Sequence, residues 1–181
     1  MLKDGEKEIT DSKMKAELLS KQYETVFTEK DTNNPMPDAT QHSVERLEDL
    51  NISVLGVQNL LTSLNAKKAN GPDQLPIRIL KETATEIAPL LQIIYMASLR
   101  QGVVPKDWRS ANVVPVFKKG DRLSAANYRP ISLTSIWCKV LEHIIYKHIM
   151  SHCEKHKILV DFQHGFRKGR SCETQLITVR E

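Results

Sequence analysis

The chain has 181 residues, of which 40% are hydrophobic and 27% are charged, and its formal net charge is +4. A chain of this length can bury a sizeable core, and this composition excludes an intrinsically disordered or fibrous protein. The uncharged, mainly apolar stretch at residues 87–99 is shorter than the roughly 20 apolar residues that a bilayer-spanning helix needs, so no membrane segment is expected.

The first predicted helix covers about residues 12–28, where apolar residues recur at helical spacing after three possible N-cap residues. Residues 31–40 are rich in Asn and Pro and are predicted to form a flexible linker. A second helix is predicted to start at Ser53 and to end before the polar, turn-prone residues 67–73. Its inward-facing residues are predicted to be Val54, Val57, Leu60, Leu61 and Leu64.

Two further helices are predicted in the middle of the chain. Pro76 suits the first turn of a short helix that ends near Thr83, because the missing N–H of proline costs nothing there. A longer helix is predicted for residues 85–101, with Pro89 tolerated in its first turn and Gly102 placed to end it.

An antiparallel ribbon and two helices are predicted in the C-terminal half. Residues 111–117 are rich in valine and are predicted to form a strand, which Pro115 either confines to a sheet edge or interrupts, and residues 131–133 offer a partner strand. A basic turn at residues 163–170 precedes a last helix capped by Ser171. The helix between ribbon and turn has an apolar stripe of Trp137, Val140, Leu141, Ile144, Ile145, His148 and Ile149. The expected fold is α/β, mostly helical, with one small antiparallel ribbon.

Basic charge is concentrated in the C-terminal half. Residues 1–97 carry 11 Lys/Arg and 15 Asp/Glu, a net of −4, whereas residues 98–181 carry 15 and 7, a net of +8. Such asymmetry favours a polyanionic partner, although a solvated basic face remains the alternative. Lys118 and Lys119 at the ribbon turn, with Arg129 across the ribbon, are candidates for gripping phosphates; a plain solvated hairpin turn is equally compatible with them.

The basic turn at residues 163–170 is a second candidate site. It places three cations and two glycines before a helix N-terminus, where a backbone can approach an anionic ligand closely. Phe166 could stack on a base, but burial of its ring in the core is the favoured prediction.

Catalytic and metal-binding groups are not predicted. His148, His152 and His156 have the spacing of zinc ligands on one helix face, but no carboxylate or second cysteine completes a set, so packing or surface roles are favoured. In the C-terminal half the aspartates are isolated from one another, whereas two-metal phosphoryl transfer needs clustered carboxylates. The three cysteines lack disulfide or zinc spacing and are expected to be free thiols in a reducing compartment.

Six short motifs in a fixed order carry a family resemblance. They are KANGPDQLP, PKDW, VPVFKKGD, NYRPISL, KVLE and QHGFR, which start at residues 68, 105, 114, 127, 139 and 163. The series resembles the opening motifs of reverse transcriptases from non-LTR (LINE-type) retrotransposons, particularly jockey-like elements, and covers about residues 64–181. The predicted helix at residues 11–28 resembles, more weakly, the segment that joins endonuclease to polymerase. Gln74 stands where the family often has glycine, which puts a left-handed turn there in question.

The resemblance implies the fingers subdomain of a right-hand polymerase, with palm and thumb absent. Residues 1–40 would be a helical linker region and residues 41–181 a partial reverse transcriptase domain. By resemblance, Lys118, Lys119 and Arg129 would contact the triphosphate of the incoming nucleotide. The template strand would be held by Gln163, Gly165, Phe166, Arg167 and Arg170.

The function implied is that of a partial RNA-directed DNA polymerase that does not polymerise alone. Mg²⁺ would serve the intact enzyme through ligands outside this chain, and the partners would be RNA template, DNA primer, deoxynucleotide and the palm, thumb and endonuclease segments of the same polyprotein. An intracellular location, in nucleus or cytoplasm, is expected. Two alternatives stay open: a non-catalytic nucleic-acid-binding module derived from a retroelement, and a helical protein-interaction domain whose basic half is only solvated.

Overall fold

Helices dominate the computed structural model, which describes residues 1–27 and 45–180. The helices are α1 (Ser12–Glu24), α2 (Val54–Thr62), α3 (Ile77–Glu82), α4 (Ala84–Gln101), α5 (Ile136–Lys155) and α6 (Cys172–Arg180). The strands are β1 (Leu2–Asp4), β2 (Lys7–Ile9), β3 (Ala111–Phe117) and β4 (Tyr128–Thr134), which form two antiparallel pairs. The predicted α/β, mostly helical class is confirmed. The predicted linker at residues 31–40 lies outside the described residues.

The main core lies between α2, α3, α4 and α5. Tyr95 of α4 is completely buried at its centre, where its hydroxyl donates a 2.8 Å hydrogen bond to the Trp137 carbonyl and its ring meets that of Trp108 edge-on. Burial raises the pKa of the Tyr95 phenol. In α2, Val57 and Leu61 are buried as predicted, but Val54 is exposed, because the helix begins at that residue.

Most helix ends follow the predicted signals, but Pro76 is the N-cap residue of α3 and not part of its first turn. Ser53 caps α2 by accepting a 3.0 Å bond from the Gly56 N–H, and Gly102 ends α4 in a left-handed conformation, φ 64°. The prediction for α1 is too long, since the helix ends at Glu24. Pro89 lies inside α4 rather than in its first turn, because the helix begins at Ala84.

A short N-terminal hairpin, β1–β2, was not predicted. Its two-residue loop has Gly5 at φ 61°, the conformation that such loops require and glycine adopts without steric cost. The hairpin rests on the connection between β3 and β4, where the Lys3 N–H donates a 2.7 Å bond to the Leu123 carbonyl. Leu2, Leu19 and Ala125 form a second, smaller core there.

The loop of residues 71–73 docks on the start of α5. The Ser135 side chain is buried, and its hydroxyl donates a 2.8 Å hydrogen bond to Asp73 Oδ2. A Cβ added at Gly71 would lie 2.6 Å from the Thr134 carbonyl oxygen, so only glycine permits this approach of two backbones. Gln74 follows at φ 51°, so the left-handed turn is present although the residue is not glycine.

Among the residues that the structure describes, no helix has the length and apolar character needed to cross a membrane.

Candidate nucleotide and nucleic-acid interface

The ribbon of β3 and β4 brings Lys118 and Arg129 to the same end of the two strands. In the register of the two strands Val116 pairs with Arg129, and the Lys118 N–H extends the ladder by donating a 2.8 Å bond to the Asn127 carbonyl. Side chains two residues apart on a strand share a face, and directly paired residues share it too. Lys118 is the first residue after β3, and continuing this alternation we expect it on the face of Val116 and Arg129.

Hydrogen bonds fix the connection that follows Lys118. Gly120 has φ 87°, and a Cβ there would lie 2.8 Å from Asn127 Nδ2. That nitrogen donates to the Asp121 carbonyl at 2.9 Å, and Asp121 Oδ1 accepts from the Leu123 N–H at 2.9 Å. The turn that presents the lysines is thus held by side chain to backbone bonds and depends on glycine at one position.

Aromatic contacts brace the opposite face of the ribbon. The rings of Phe117 and Tyr128, a cross-strand pair, meet edge-on at 5.6 Å. The Arg122 guanidinium carbon lies 4.5 Å from the Phe117 ring centroid, and the Tyr128 hydroxyl donates to the Arg122 carbonyl at 2.8 Å. Arg122 is therefore held against the protein, in a cation–π geometry.

Lys118, Lys119 and Arg129 are all exposed. None of them takes part in an ion pair within residues 1–27 and 45–180. Their side-chain charges are available to a ligand, and Arg129 can offer a phosphate the planar fork of its guanidinium.

The basic turn at residues 163–170 differs from the ribbon because its arginines already have protein partners. Arg167 contacts both carboxylate oxygens of Glu154, at 3.4 and 3.3 Å, and donates to the Val160 carbonyl at 3.1 Å. Only 12% of its side chain is exposed. Arg170 donates to the Asp161 carbonyl at 2.6 Å and pairs with the Asp161 carboxylate at 3.4 Å. These two arginines hold the turn together.

His164 is the buried centre of this turn. Its Nε2 lies 3.2 Å from Arg170 Nη1 and its Nδ1 lies 2.8 Å from Thr174 Oγ1. Because arginine can only donate, Nε2 accepts and Nδ1 carries the proton, which it donates to Thr174. The sequence showed this histidine only as part of a motif, and its packing role depends on Thr174 in α6, ten positions away.

Phe166 is not buried, so the favoured prediction for its ring is wrong. The side chain is 97% exposed and its backbone has φ 61°, a region that bulky residues rarely adopt. The left-handed backbone at this position is part of the turn that Arg167 and Arg170 fix. Gln163 and Gly165 are also exposed, and a Cβ added at Gly165 would touch nothing within 4 Å.

His148 and His152 of α5, and His156 directly after its last residue, have partners other than a metal. His148 Nε2 lies 2.8 Å from the Glu48 carbonyl, His156 pairs with Glu45 at 3.5 Å, and the rings of His152 and His156 are 4.6 Å apart. Within the described ranges no three His, Cys, Asp or Glu side chains are grouped so that they could hold a metal ion. These residues therefore do not fit the Mg²⁺ that the resemblance implies, whose ligands would lie outside this chain.

A row of basic residues on α5 was not singled out from the sequence. Lys139, His143 and Lys147 recur at every fourth position, which places them along one side of a helix. The spacing could have been recognised, but only the structure shows that this side borders a groove with α2.

No family model matches the chain, but similar proteins are known. Over 121 residues it is 31% identical to the RNA-directed DNA polymerase from mobile element jockey of Drosophila melanogaster, a match that covers 66% of the chain and 13% of that protein. Over 126 residues it is 34% identical to the probable RNA-directed DNA polymerase from transposon BS of Drosophila melanogaster, a match that covers 69% of the chain and 14% of that protein. The probable RNA-directed DNA polymerase from transposon X-element of the same organism is 29% identical over 126 residues, and this match also covers 69% of the chain and 14% of the relative. The aligned part is thus a small fraction of each relative.

Proposed function

This chain is homologous to one segment of the RNA-directed DNA polymerases of jockey-like and other non-LTR retrotransposons, and on that premise we propose that it is the fingers segment of such a polymerase. In the proposal the ribbon of β3 and β4 binds the triphosphate of the incoming deoxynucleotide, and the turn at residues 163–170 lies beside the template. Palm, thumb and endonuclease would belong to other parts of the same polyprotein.

The observation that carries the nucleotide role is that Lys118 and Arg129 lie exposed at the same end of the ribbon. The backbone of the turn behind them is held by several hydrogen bonds, so both cations stay close to one place although their side chains have no partner among the residues that the structure describes. Positive charge presented in this way stabilises phosphoryl oxygens. Lys119 is adjacent and adds a third cation to the same turn.

In the template role, some residues of the turn would contact the strand and others would hold the turn in shape. Gln163, Gly165 and Phe166 are accessible, and an aromatic ring that is already exposed can stack on a base without leaving a core. Arg167 and Arg170 would act through the shape of the turn, because their guanidinium groups are bound to Glu154 and Asp161.

Phosphoryl transfer in the intact polymerase would use Mg²⁺ held by carboxylates of another segment. The role of this chain is then to bind and orient: the ribbon lysines and Arg129 would neutralise charge on the phosphates.

The nucleotide role is tested by steady-state kinetics on a polymerase that contains this segment. Arg129→Ala should raise the KM for deoxynucleotide about 10- to 100-fold, because a charged hydrogen-bond partner of the triphosphate is lost. The KM of Arg129→Lys should lie between those of the parent enzyme and Arg129→Ala, because lysine keeps the positive charge but lacks the planar fork of the guanidinium. Arg109→Ala, an exposed arginine on the short helical turn before β3, is the matched control. Unchanged nucleotide kinetics for Arg129→Ala would rule out the assignment.

A further inference from the structure

Two neighbouring cavities lie between α2 and α5, on a part of the molecule that the ribbon does not line. One cavity of about 400 Å³ lies beside Ser63, Leu64 and Val140, and a second of about 480 Å³ lies beside Gly56 and Ile144. Both are lined by Leu60 and Ser63, so they are adjacent, and together they are here called the α2–α5 groove.

The rim of the α2–α5 groove carries basic residues from two parts of the chain. Lys139 and His143 of α5 line the first cavity together with Lys68 from the loop after α2, and Lys147 of α5 lines the second. The α5 residues succeed one another every four positions, which is about 6 Å along a helix axis. From Lys139 to Lys147 the row is therefore about 12 Å long, too long for a single phosphate ion.

The charged residues that line the two cavities are all basic. No aspartate or glutamate lines either cavity, and Lys68, Lys139 and Lys147 form no ion pair within the described residues. Two carboxylates nearby, Asp73 and Glu142, accept hydrogen bonds from Ser135 and Cys138 and keep their negative charge, but neither lines a cavity. The lining itself is therefore of one charge sign, which favours a polyanionic ligand.

The lining of the groove between the cations offers both apolar and hydrogen-bonding side chains. The apolar ones are Leu60, Leu64, Ile77, Ile136, Val140 and Ile144, and the uncharged polar ones are Asn51, Ser53, Asn59, Ser63 and Asn65. Two of the polar groups are partly used, since Ser63 Oγ donates to the Leu60 carbonyl and Asn65 Oδ1 accepts from the Lys67 N–H. The apolar side chains can pack against the faces of bases and the asparagines can hydrogen-bond to base edges, while the row of cations selects a polyanionic ligand.

We propose that the α2–α5 groove binds a single-stranded nucleic acid, with phosphates along Lys139, His143 and Lys147 and bases toward the lining between the cations. This inference depends on the proposed function only in taking nucleic acid as the ligand. It assigns a strand path to residues that are separate from the ribbon and from the basic turn, so the two proposals can fail independently.

The test measures binding of fluorescently labelled single-stranded 12-mers of RNA and of DNA to the 181-residue chain by anisotropy. Each phosphate contact contributes about 0.7 to the slope of log K against log salt, so the Lys139→Gln/Lys147→Gln variant, which loses two contacts, should show a slope that is smaller by about 1.4. Relative to 1 M salt, this difference makes its binding at about 0.1 M salt about 25-fold weaker than that of the parent chain. The control is Lys13→Gln/Lys21→Gln on α1, an equal change of charge at exposed positions that line neither cavity.

Two additional variants make the result specific to the groove. Lys68→Gln lies in a loop and leaves α5 untouched, and it should weaken binding about fivefold by the same salt relation. Lys118→Gln/Arg129→Gln in the ribbon should keep most of the oligonucleotide affinity. Circular dichroism at 222 nm verifies that each variant retains the helical content of the parent chain.

Three outcomes would overturn the inference. The groove variants could bind like the α1 control, the ribbon variant alone could lose binding, or a poly-glutamate peptide could compete as well as the oligonucleotide. The second outcome would leave the proposed function of the ribbon standing.

Discussion

Replacing Gly71 by alanine should destabilise the fold by a purely steric route. The new Cβ would lie 2.6 Å from the Thr134 carbonyl oxygen and 2.8 and 2.9 Å from the Ser135 Cα and N. All three are backbone atoms, so no flexible side chain can move aside. Either the loop of residues 71–73 leaves the start of α5 or that helix shifts, and the hydrogen bond from Ser135 to Asp73 is lost with it.

The size of the effect follows from two terms. Forcing an extra methyl group into a packed contact costs about 1–3 kcal/mol. Leaving the buried Ser135 hydroxyl without its partner adds about 1–3 kcal/mol, at least until water reaches it. The sum is about 2–6 kcal/mol, and at about 2–4 °C per kcal/mol for a chain of this size the melting temperature should fall by roughly 4–24 °C.

Thermal and urea unfolding followed by circular dichroism measure this loss. Gly165→Ala is the matched control, because a Cβ there meets nothing within 4 Å and the residue does not have a positive φ. We expect Gly165→Ala to unfold with the parent chain. If Gly71→Ala also unfolded with it, the close approach of the loop to α5 would be wrong.

Two further predictions concern the basic turn and a thiol. Arg167→Met should lower the free energy of unfolding by about 1 kcal/mol, because the partly exposed ion pair between Arg167 and Glu154 is lost. The control Lys168→Met should leave the free energy of unfolding unchanged. If the two variants unfolded at the same temperature, Arg167 would not anchor the turn. Burial and the bond donated to Glu142 raise the pKa of Cys138 to about 11. Only the thiolate reacts, so alkylation of Cys138 by iodoacetamide should rise about tenfold per pH unit from pH 8 to 10. A rate that levels off near pH 9 would contradict this pKa.

Elements with strong local signals could be predicted from the sequence. The cap at Ser53, the terminating Gly102 and the valine-rich β3 are decided by neighbours within a few positions, and the structure has each of them. The placement of Lys118 and Arg129 at the same end of the ribbon also follows locally, once the ribbon has its register.

Features that depend on distant residues could not be predicted. The N-terminal hairpin has strands of three residues, and its burial depends on Ala125. The partner of Arg167 is Glu154, 13 positions away, so the sequence could not show that the arginine is an anchor rather than a free cation. Phe166 was expected to be buried because phenylalanine usually is, but the turn holds its backbone in a left-handed conformation and directs the ring outward.

The contact between β1 and the ribbon connection has a consequence for the order in which the molecule assembles. Lys3 meets Leu123 and Ser124 across about 120 residues of intervening chain. Such a closure costs more entropy than the local helix pairs, so it should form after the helical core and be the first to open in amide hydrogen exchange. The connection between β3 and β4, which presents the ribbon lysines, can then open while α2, α4 and α5 stay packed. Local opening at this ligand-binding edge would therefore not lower the global stability of the chain.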